Sequence, residues 1–338
     1  MRFFKRLFSI FAIVSLTALF AFLFNFLIFL YTPSSGGPVY IEIHRASSFR
    51  KVAHLLKSKN LITSEWFFLL LGRCKKVTLK IQHGEYLIPP KTTPIQLLKI
   101  LRTGKVILHS ITIPEGLTVK DIANILEDHS ICSAHQFRSL AMSSHTIPCL
   151  NEVFPNLEGV LFPDTYLFPK NYPPRRVIAK MLKRFCEIYT KELKERAKEL
   201  GMTNRDVITL ASIIEKEALL KREMPIISSV FHNRLKKGMR LQSDPTVIYD
   251  IPSYTGKLTK RDLMRPTPHN TYRIKGLPPD PICNPGEDAI RAALYPAKTN
   301  YLYFVARNDG THVFSETLTQ HNIAVLLYQR PPANSLKK

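Results

Sequence analysis

Two glutamates near the end of an apolar segment are the residues of this chain best suited to acid–base chemistry. The segment Thr209-Leu-Ala-Ser-Ile-Ile-Glu-Lys-Glu-Ala218 contains Glu215 and Glu217. A carboxyl beside buried isoleucines, near the C-terminal end of a helix, has a raised pKa because burial and the helix dipole both disfavour its anion. Such a group can serve as a general acid near neutral pH.

The surrounding residues predict that this segment is a helix. Thr203 and Asp206 form a capping-box pattern at its start. The apolar face consists of Val207, Leu210, Ile213 and Ile214. At about 100° per residue, Glu217 lies on that face and Glu215 points nearly opposite. From spacing alone, a solvated helix end bearing two glutamates remains the slightly favoured alternative.

Composition leaves several partners open and argues against a metal site. The chain has 338 residues, enough for two domains, and a formal net charge of +22, which suits nucleic acid, anionic lipid or an anionic cell-wall polymer. The five cysteines form no Cys-x-x-Cys pair, and no His-Glu-x-x-His run occurs. We therefore expect no metal and no other cofactor. The cysteines are expected to be buried apolar residues, and a Cys132–Cys149 disulfide is left open.

Residues 7–31 predict a transmembrane helix, because about 25 apolar residues span roughly 37 Å. Arg2, Lys5 and Arg6 precede the run, so the positive-inside rule puts residues 1–6 in the cytoplasm and the remainder outside. A cleaved signal peptide is the competing interpretation, but the run is too long and lacks an Ala-x-Ala exit. Residues 32–38 are expected to form a short flexible linker. An outside location argues against nucleic acid as the partner.

The next part of the chain repeats one pattern: a β-like run, an N-cap Ser or Thr, and a short amphipathic helix. The copies are residues 43–56, 88–101 and 113–126, with caps Ser48, Thr93 and Thr118. We predict one small α/β module over residues 39–130. Its segment from Thr112 to Asn124 resembles the LysM glycan-binding module. A packing or spacer role is equally compatible with the pattern.

Residues 135–335 predict a second, mainly helical domain with a C-terminal β-hairpin, so the fold class is α+β. Expected helices cover residues 175–200, 225–237 and 284–296, with a further helical turn starting at Asp244. The hairpin is expected over residues 301–315, with its turn at Asn308-Asp-Gly310.

Polar and aromatic side chains in this domain suit a groove that binds sugars, since hydroxyls need hydrogen bonds and sugar rings stack on aromatic faces. The candidates are Asn233, Arg234, Gln242, Asp244, Tyr249, Asn270 and Tyr272. Each has a structural alternative: Asp244 as a helix cap and Asn270 as a turn residue are examples.

Several blocks carry a resemblance to a known family. They are Ala211-Ser-Ile-Ile-Glu-Lys-Glu217, Phe231-His-Asn-Arg-Leu235, Gly238-Met-Arg-Leu-Gln-Ser-Asp-Pro-Thr-Val-Ile-Tyr249, Asn270-Thr-Tyr272, Gly276-Leu-Pro-Pro279, Asn284-Pro-Gly286 and Tyr301-Leu-Tyr-Phe-Val305. In order and spacing the chain resembles the endolytic murein (peptidoglycan) lytic transglycosylases of the MltG or YceG-like family, from the anchor to about residue 328. His269 departs from the pattern, where the family more often has an aromatic residue.

The resemblance implies an enzyme of the bacterial inner membrane, single-pass, with a periplasmic catalytic domain. It implies cleavage of nascent glycan strands between N-acetylmuramic acid and N-acetylglucosamine, leaving 1,6-anhydro ends. Its partners would be peptidoglycan strands and peptidoglycan synthases. In related lysozyme-like enzymes the acid stands where Glu217 stands; Glu215 is the second choice, as a site-lining residue, and Glu223 the third.

Two other functions remain open from the sequence. One is a hydrolytic muramidase, which usually needs a second carboxylate as nucleophile or water activator. The other is a non-catalytic wall-binding or scaffolding protein, in which the α/β module holds glycan.

Overall fold

The structure, a computed structural model, describes residues 2–44, 47–77, 81–252, 254–307 and 309–329. Met1, the turn residue Asn308 and residues 330–335 of the predicted second domain therefore lie outside the described residues. The fold is mixed α and β, about half helical, with an apolar helix at the N-terminus. Contacts divide the chain into two units, residues 1–109 with 169–171, and residues 110–168 with 172–338.

The first unit is a two-stranded sheet with helices packed beside it. Its elements are α1 (Arg2–Tyr31), β1 (Val39–Ile43), α2 (Phe49–Ser58), α3 (Glu65–Cys74), β2 (Gly84–Ile88) and α4 (Pro94–Thr103). β1 and β2 pair antiparallel, and Leu56, Tyr86 and Leu101 are buried in the core. The predicted N-caps Ser48 and Thr93 both accept backbone N–H groups. Helix α3 was not predicted.

Helix α1 contains a 26-residue stretch, Arg6–Tyr31, that is long and apolar enough to cross a membrane. Three residues after its end, the predicted flexible linker is tied to the first unit. The backbone N–H of Ser34 donates to the Thr92 carbonyl (3.0 Å), and the Thr92 N–H donates to Oγ of Ser34 (3.1 Å).

The second unit is mainly helical. Its elements are β3 (His109–Thr112), α5 (Val119–Asp128), α6 (Ala134–Ala141), β4 (His145–Ile147), β5 (Glu152–Phe154), β6 (Thr165–Phe168), α7 (Pro174–Ile188), α8 (Lys191–Glu199), α9 (Asn204–Glu217), α10 (Met224–Lys236), α11 (Asp244–Ile248), α12 (Lys260–Leu263), α13 (Glu287–Leu294), β7 (Tyr303–Ala306), β8 (His312–Ser315) and α14 (Leu318–Tyr328). β3 pairs with β6 and β4 with β5. β7 and β8 form the predicted C-terminal hairpin.

Helix α9 lies in the middle of this unit. The predicted capping box is present, with Thr203 and Asp206 each accepting the other's backbone N–H. Every residue from Val207 to Ile214 is buried, and α8, α10, α11 and α13 all contact the helix. Because its middle is enclosed on all sides, only its two ends reach polar surroundings, and the C-terminal end carries Glu215 and Glu217.

The expected helix over residues 175–200 is instead two helices, α7 and α8. Tyr189 leaves the helical conformation with φ −80° and ψ 73°. Its ring is buried and stacks on Phe185, and its hydroxyl donates to Asn204 at 3.1 Å. The side chain therefore packs towards the start of α9, and the chain turns there.

The third repeated segment packs in the second unit. Thr118 caps α5 as expected, but Ile122 and Leu126 are buried in the same core as Phe137 and α9. The boundary between the units accordingly falls at residues 109 and 110 instead of near residue 130.

The expectation that the cysteines are buried apolar residues is confirmed for Cys283 and wrong for the other four, and the disulfide that was left open, Cys132–Cys149, does not form. Cys149 and Cys186, which are 37 positions apart in sequence, form a disulfide. Cys132 is free and half-buried, Cys283 is buried, and Cys74 is exposed. Cys186 lies on α7, which packs beside α6, and this long-range packing brings it to Cys149.

Candidate active site

Glu217 is the last residue of α9, and its half-buried side chain reaches a cavity in the second unit. The Ser243 hydroxyl donates to Oε1 of Glu217 at 2.5 Å. Ser243 precedes α11, and its own backbone N–H donates to Oγ1 of Thr271 (2.9 Å). Among the described residues no second hydrogen-bond donor reaches the Glu217 carboxyl, which leaves Oε2 available to a ligand.

The cavity beside Glu217 has a volume of about 430 Å³ and walls that are polar and aromatic. Side chains that line it include Arg234, Gln242, Asp244, Tyr272, Tyr303, His312 and His321. Sugar rings bind to such walls by stacking on aromatic faces and hydrogen-bonding to polar groups. The cavity is therefore suited to a glycan.

The environment of Glu217 favours its neutral form. Burial raises the pKa of this carboxyl to about 7; the Ser243 hydrogen bond opposes that rise, the negative charge of Asp244 adds to it, and the positive charge of Arg234 opposes it. Near neutral pH the group is thus a mixture of acid and carboxylate, which is the condition for a group that must both give and take a proton.

Arg234 is buried at the cavity wall and fixed by backbone carbonyls. Its Nε donates to Leu302 (2.6 Å) and one terminal nitrogen donates to Leu241 (2.7 Å). Its guanidinium lies 5.3 Å from the centre of the Tyr303 ring. A cation held this rigidly stabilises negative charge on Glu217 without having to reorganise.

Three further predicted residues lie at the same cavity. Gln242 adopts the left-handed region, with φ 51°, and its N–H donates to the Thr271 carbonyl (3.2 Å). The Tyr272 hydroxyl donates to Oδ1 of Asp244 at 2.6 Å. The structure therefore brings together Glu217, Arg234, Gln242, Asp244 and Tyr272 from separate stretches of the sequence.

Glu215 lies elsewhere, on the opposite side of the end of α9. Its Oε2 accepts the backbone N–H of Gly286 (3.0 Å), and its Cγ is next to Gly116, 3.5 Å from where a Cβ would be. Burial raises the pKa of Glu215, and the Gly286 N–H opposes that rise. This glutamate supports two loops and does not line the cavity.

Asn233 and Asn270 also lie away from the cavity, because their side chains hold backbone in place. Nδ2 of Asn233 donates to the carbonyls of Thr299 (2.9 Å) and Tyr301 (3.0 Å). Nδ2 of the fully buried Asn270 donates to the carbonyls of Leu263 (3.0 Å) and Arg265 (2.7 Å). Both side chains therefore have a structural role, which was the alternative to sugar binding.

Tyr249 lines a different cavity, of about 860 Å³, and its hydroxyl donates to Oε2 of Glu158 at 3.3 Å. Burial raises the pKa of Glu158 to about 8, against the hydrogen bonds from Val119, Tyr249 and Asn284. Glu158 is 2% exposed. Because these donors occupy its oxygens, its contacts are those of a structural carboxyl.

Four residues of the site were not predicted from the sequence: Ser243, the hydrogen-bond partner of Glu217, and the cavity residues Tyr303, His312 and His321. Glu223, the third candidate for the acid, contacts one of them: its Oε2 lies 2.8 Å from Nδ1 of His312, and its Oε1 accepts the His312 N–H (3.2 Å). Both carboxylate oxygens of Glu223 thus hold β8 against the start of α10. The family blocks contained Ser243 and Tyr303, but only the fold shows that these residues lie close to Glu217.

Comparison with known proteins shows the family of this chain. The model of the YceG-like family matches residues 41–326. The chain belongs to the YceG-like family. The matched YceG-like region includes α9 and every side chain named above as lining the cavity of Glu217.

Two related proteins and one solved structure are similar over most of the chain. A Bacillus subtilis (strain 168) protein named endolytic murein transglycosylase is 34% identical over 305 residues, 86% of this chain and 84% of that protein. A protein of the same name from Streptococcus pneumoniae is 26% identical, and the match spans 89% of this chain but 64% of that longer protein. A crystal structure of a yceG-like protein from Listeria monocytogenes has 32% identity and a TM-score of 0.56, covering 86% of this chain and 99% of that one.

Proposed function

We propose that this protein is an endolytic murein transglycosylase that cleaves peptidoglycan glycan strands between N-acetylmuramic acid and N-acetylglucosamine. The observation that carries the proposal is the raised pKa of the Glu217 carboxyl at a polar, aromatic cavity. The names of relatives that are similar over most of their length give the substrate class.

Glu217 serves the reaction twice. As an acid it protonates the glycosidic oxygen while the bond from that oxygen to the muramic anomeric carbon breaks. As a carboxylate it then takes the proton from the muramic C6 hydroxyl, whose oxygen bonds to the same anomeric carbon. The enzyme returns to its starting state and the product ends in 1,6-anhydro-muramic acid, with no water consumed. The buried Arg234 stabilises the carboxylate between these two steps.

A hydrolytic muramidase is the second candidate function, because Asp244 supplies another carboxyl at the same cavity. Asp244 accepts a hydrogen bond from Tyr272 and lies at the start of α11. In a hydrolase it would activate water or act as nucleophile. In the proposed mechanism Asp244, with Gln242 and Tyr272, instead binds sugar hydroxyls and raises the pKa of Glu217.

The chemistry of the product ends distinguishes the two candidates. Purified protein incubated with uncrosslinked glycan strands should release fragments with 1,6-anhydro-muramic ends from internal sites, as read by mass spectrometry. Reducing ends carrying the mass of an added water would make the protein a muramidase. Strand binding with no cleavage would favour the wall-binding alternative.

The pH profile tests the role of Glu217 as an acid. Because the free enzyme must carry the proton, kcat/KM should fall as pH rises through about 7. Ser243→Ala removes a hydrogen bond to the anion and should move this decline to higher pH. Asp244→Asn removes a like charge and should move it to lower pH. A shift of this decline in the same direction in both variants would contradict the assignment of Glu217 as the acid.

We also propose that residues 7–31 anchor the protein in the inner membrane with a cytoplasmic N-terminus, so that the catalytic part is periplasmic. The α/β repeat region is proposed to bind glycan, and peptidoglycan synthases are proposed partners, since they make the nascent strands. Protease added to spheroplasts should digest the catalytic part. Its protection would reverse the orientation.

A further inference from the structure

Helix α3 carries large apolar side chains in addition to those that it buries in the core. Its sequence is Glu65-Trp-Phe-Phe-Leu-Leu-Leu-Gly-Arg-Cys74. Phe68 and Leu71 are buried and pack in the core of the first unit. Trp66 nevertheless presents 58% of its surface.

The first turn of α3 packs against one face of α1. The Phe67 ring lies 5.8, 5.5 and 5.5 Å from the rings of Phe22, Phe26 and Phe29, which are spaced at i, i+4 and i+7. The Trp66 ring lies 5.6 Å from Phe22 in an edge-to-face contact. The faces of α1 that α3 leaves uncovered are exposed and apolar, for example Leu23, Phe24 and Leu27.

The position of Phe22 along α1 determines the depth of this contact in the bilayer. A hydrocarbon core about 30 Å thick needs about 20 helical residues, fewer than the 26 from Arg6 to Tyr31. Whether the core begins beside Arg6 or ends at Tyr31, Phe22 lies inside it. Phe26 and Phe29 already pack in the core of the first unit, which favours a hydrocarbon core that begins beside Arg6 and ends near residue 26. Phe22 then lies four residues, or about 6 Å, inside the boundary, so the Trp66 side chain that it touches lies near the core boundary at that end of α1.

Two contacts prevent the first unit from moving away from this level. Phe67 holds α3 to α1, and the paired hydrogen bonds of Ser34 and Thr92 tie the chain just beyond the end of α1. The exposed cations Arg73, Lys75 and Lys76 follow at the end of α3, within about 15 Å of Trp66. Cations at this distance can reach anionic headgroups.

We propose that α3 is embedded in the lipid interface on the side where α1 ends, with Trp66 in contact with lipid. The proposal rests on the proposed role of α1 as a membrane anchor. Tryptophan favours this level of a bilayer because its ring is apolar and its N–H is polar. The first unit is thereby held against the membrane surface instead of pivoting on a single helix.

The chain carries its own probe, since Trp66 is its only tryptophan. The full chain would be reconstituted in vesicles of phosphatidylcholine and phosphatidylglycerol, with acyl chains brominated near the headgroup, near the methyl end, or not at all. Lipid brominated near the headgroup should remove about half or more of the Trp66 emission, and lipid brominated near the methyl end less. Aqueous acrylamide should quench the emission weakly.

A matched control moves the tryptophan to a partly exposed tyrosine of the second unit. In the double variant Trp66→Phe, Tyr295→Trp, brominated lipid should leave the emission unchanged and acrylamide should quench it strongly. Equal quenching by lipid at both positions, or no lipid quenching of Trp66, would overturn the proposal.

Vesicle flotation separates this inference from the anchor on which it rests. A chain that floats with vesicles while Trp66 responds only to acrylamide retains its anchor and refutes the embedding of α3. A chain that does not float refutes both. Cleavage of glycan strands is measured separately, so the catalytic proposal stands or fails on its own result.

Discussion

Glu217→Gln is expected to lower kcat for strand cleavage by roughly 10³-fold or more, because glutamine has no proton to give to the leaving oxygen. The amide oxygen of glutamine can still accept the Ser243 hydroxyl, so the local fold should persist. The measurement is the rate at which 1,6-anhydro ends appear in the full chain and its variant at equal concentration.

The matched control is Glu215→Gln, two residues earlier on the same helix. Its amide oxygen can still accept the Gly286 N–H, and the residue does not line the cavity. Activity should stay within about tenfold of wild type. Loss of activity in this variant, with activity retained in Glu217→Gln, would transfer the acid to Glu215.

The stability of the Glu217→Gln variant provides a second readout. In the folded protein burial raises the pKa of Glu217 from 4.5 to about 7. The carboxyl therefore lowers folding stability once pH exceeds its pKa in the unfolded state, and this loss grows until pH passes about 7. Each unit of difference in pKa corresponds to about 1.36 kcal/mol, so the loss of folding stability approaches roughly 3 kcal/mol. The variant should therefore have a higher free energy of unfolding than wild type at about pH 8 and a similar one at about pH 4. A variant less stable at both pH values would mean that the fold was damaged.

Local patterns predicted the secondary structure around the site well. The capping box at Thr203 and the hairpin over β7 and β8 were both predictable, since caps and turns depend on residues close in sequence. Helical geometry also separated Glu217 from Glu215, which contact different parts of the second unit. The local pattern did not predict the break at Tyr189. There the buried ring and its hydrogen bond to a distant asparagine interrupt a pattern that is continuous and helical in the sequence.

Contacts between distant segments could not be read from the sequence. Asparagine binds sugar hydroxyls and closes buried turns with the same amide group, so nothing marked Asn233 and Asn270 as structural until their carbonyl partners were known. The pairing of Cys149 with Cys186 likewise depends on α6 and α7 packing together. Ser243 reaches Glu217 only because α11 packs against α9. His312 reaches the cavity only because β8 is held at the start of α10 by Glu223.

Asn284 joins three segments behind α9 and is 1% exposed. Its Oδ1 accepts the backbone N–H groups of Gly159 (3.0 Å) and Leu161 (2.9 Å). Its Nδ2 donates to the Leu117 carbonyl (2.9 Å) and to Oε1 of Glu158 (2.9 Å). All four contacts are buried or partly buried, and none involves Glu217, so this residue serves stability apart from catalysis.

Asn284→Ala is therefore expected to lower the free energy of unfolding by about 3–5 kcal/mol, since it leaves two buried N–H groups unpaired and removes a donor from Glu158. Chemical denaturation of the full chain in detergent would measure the loss. Asn300→Ala, at an exposed asparagine, should stay within about 0.5 kcal/mol of wild type. Below its melting temperature Asn284→Ala should retain most of its activity, because the contacts of Glu217 with Ser243 are untouched. A loss under about 1 kcal/mol would mean that the remaining packing behind α9 can satisfy these groups without the amide.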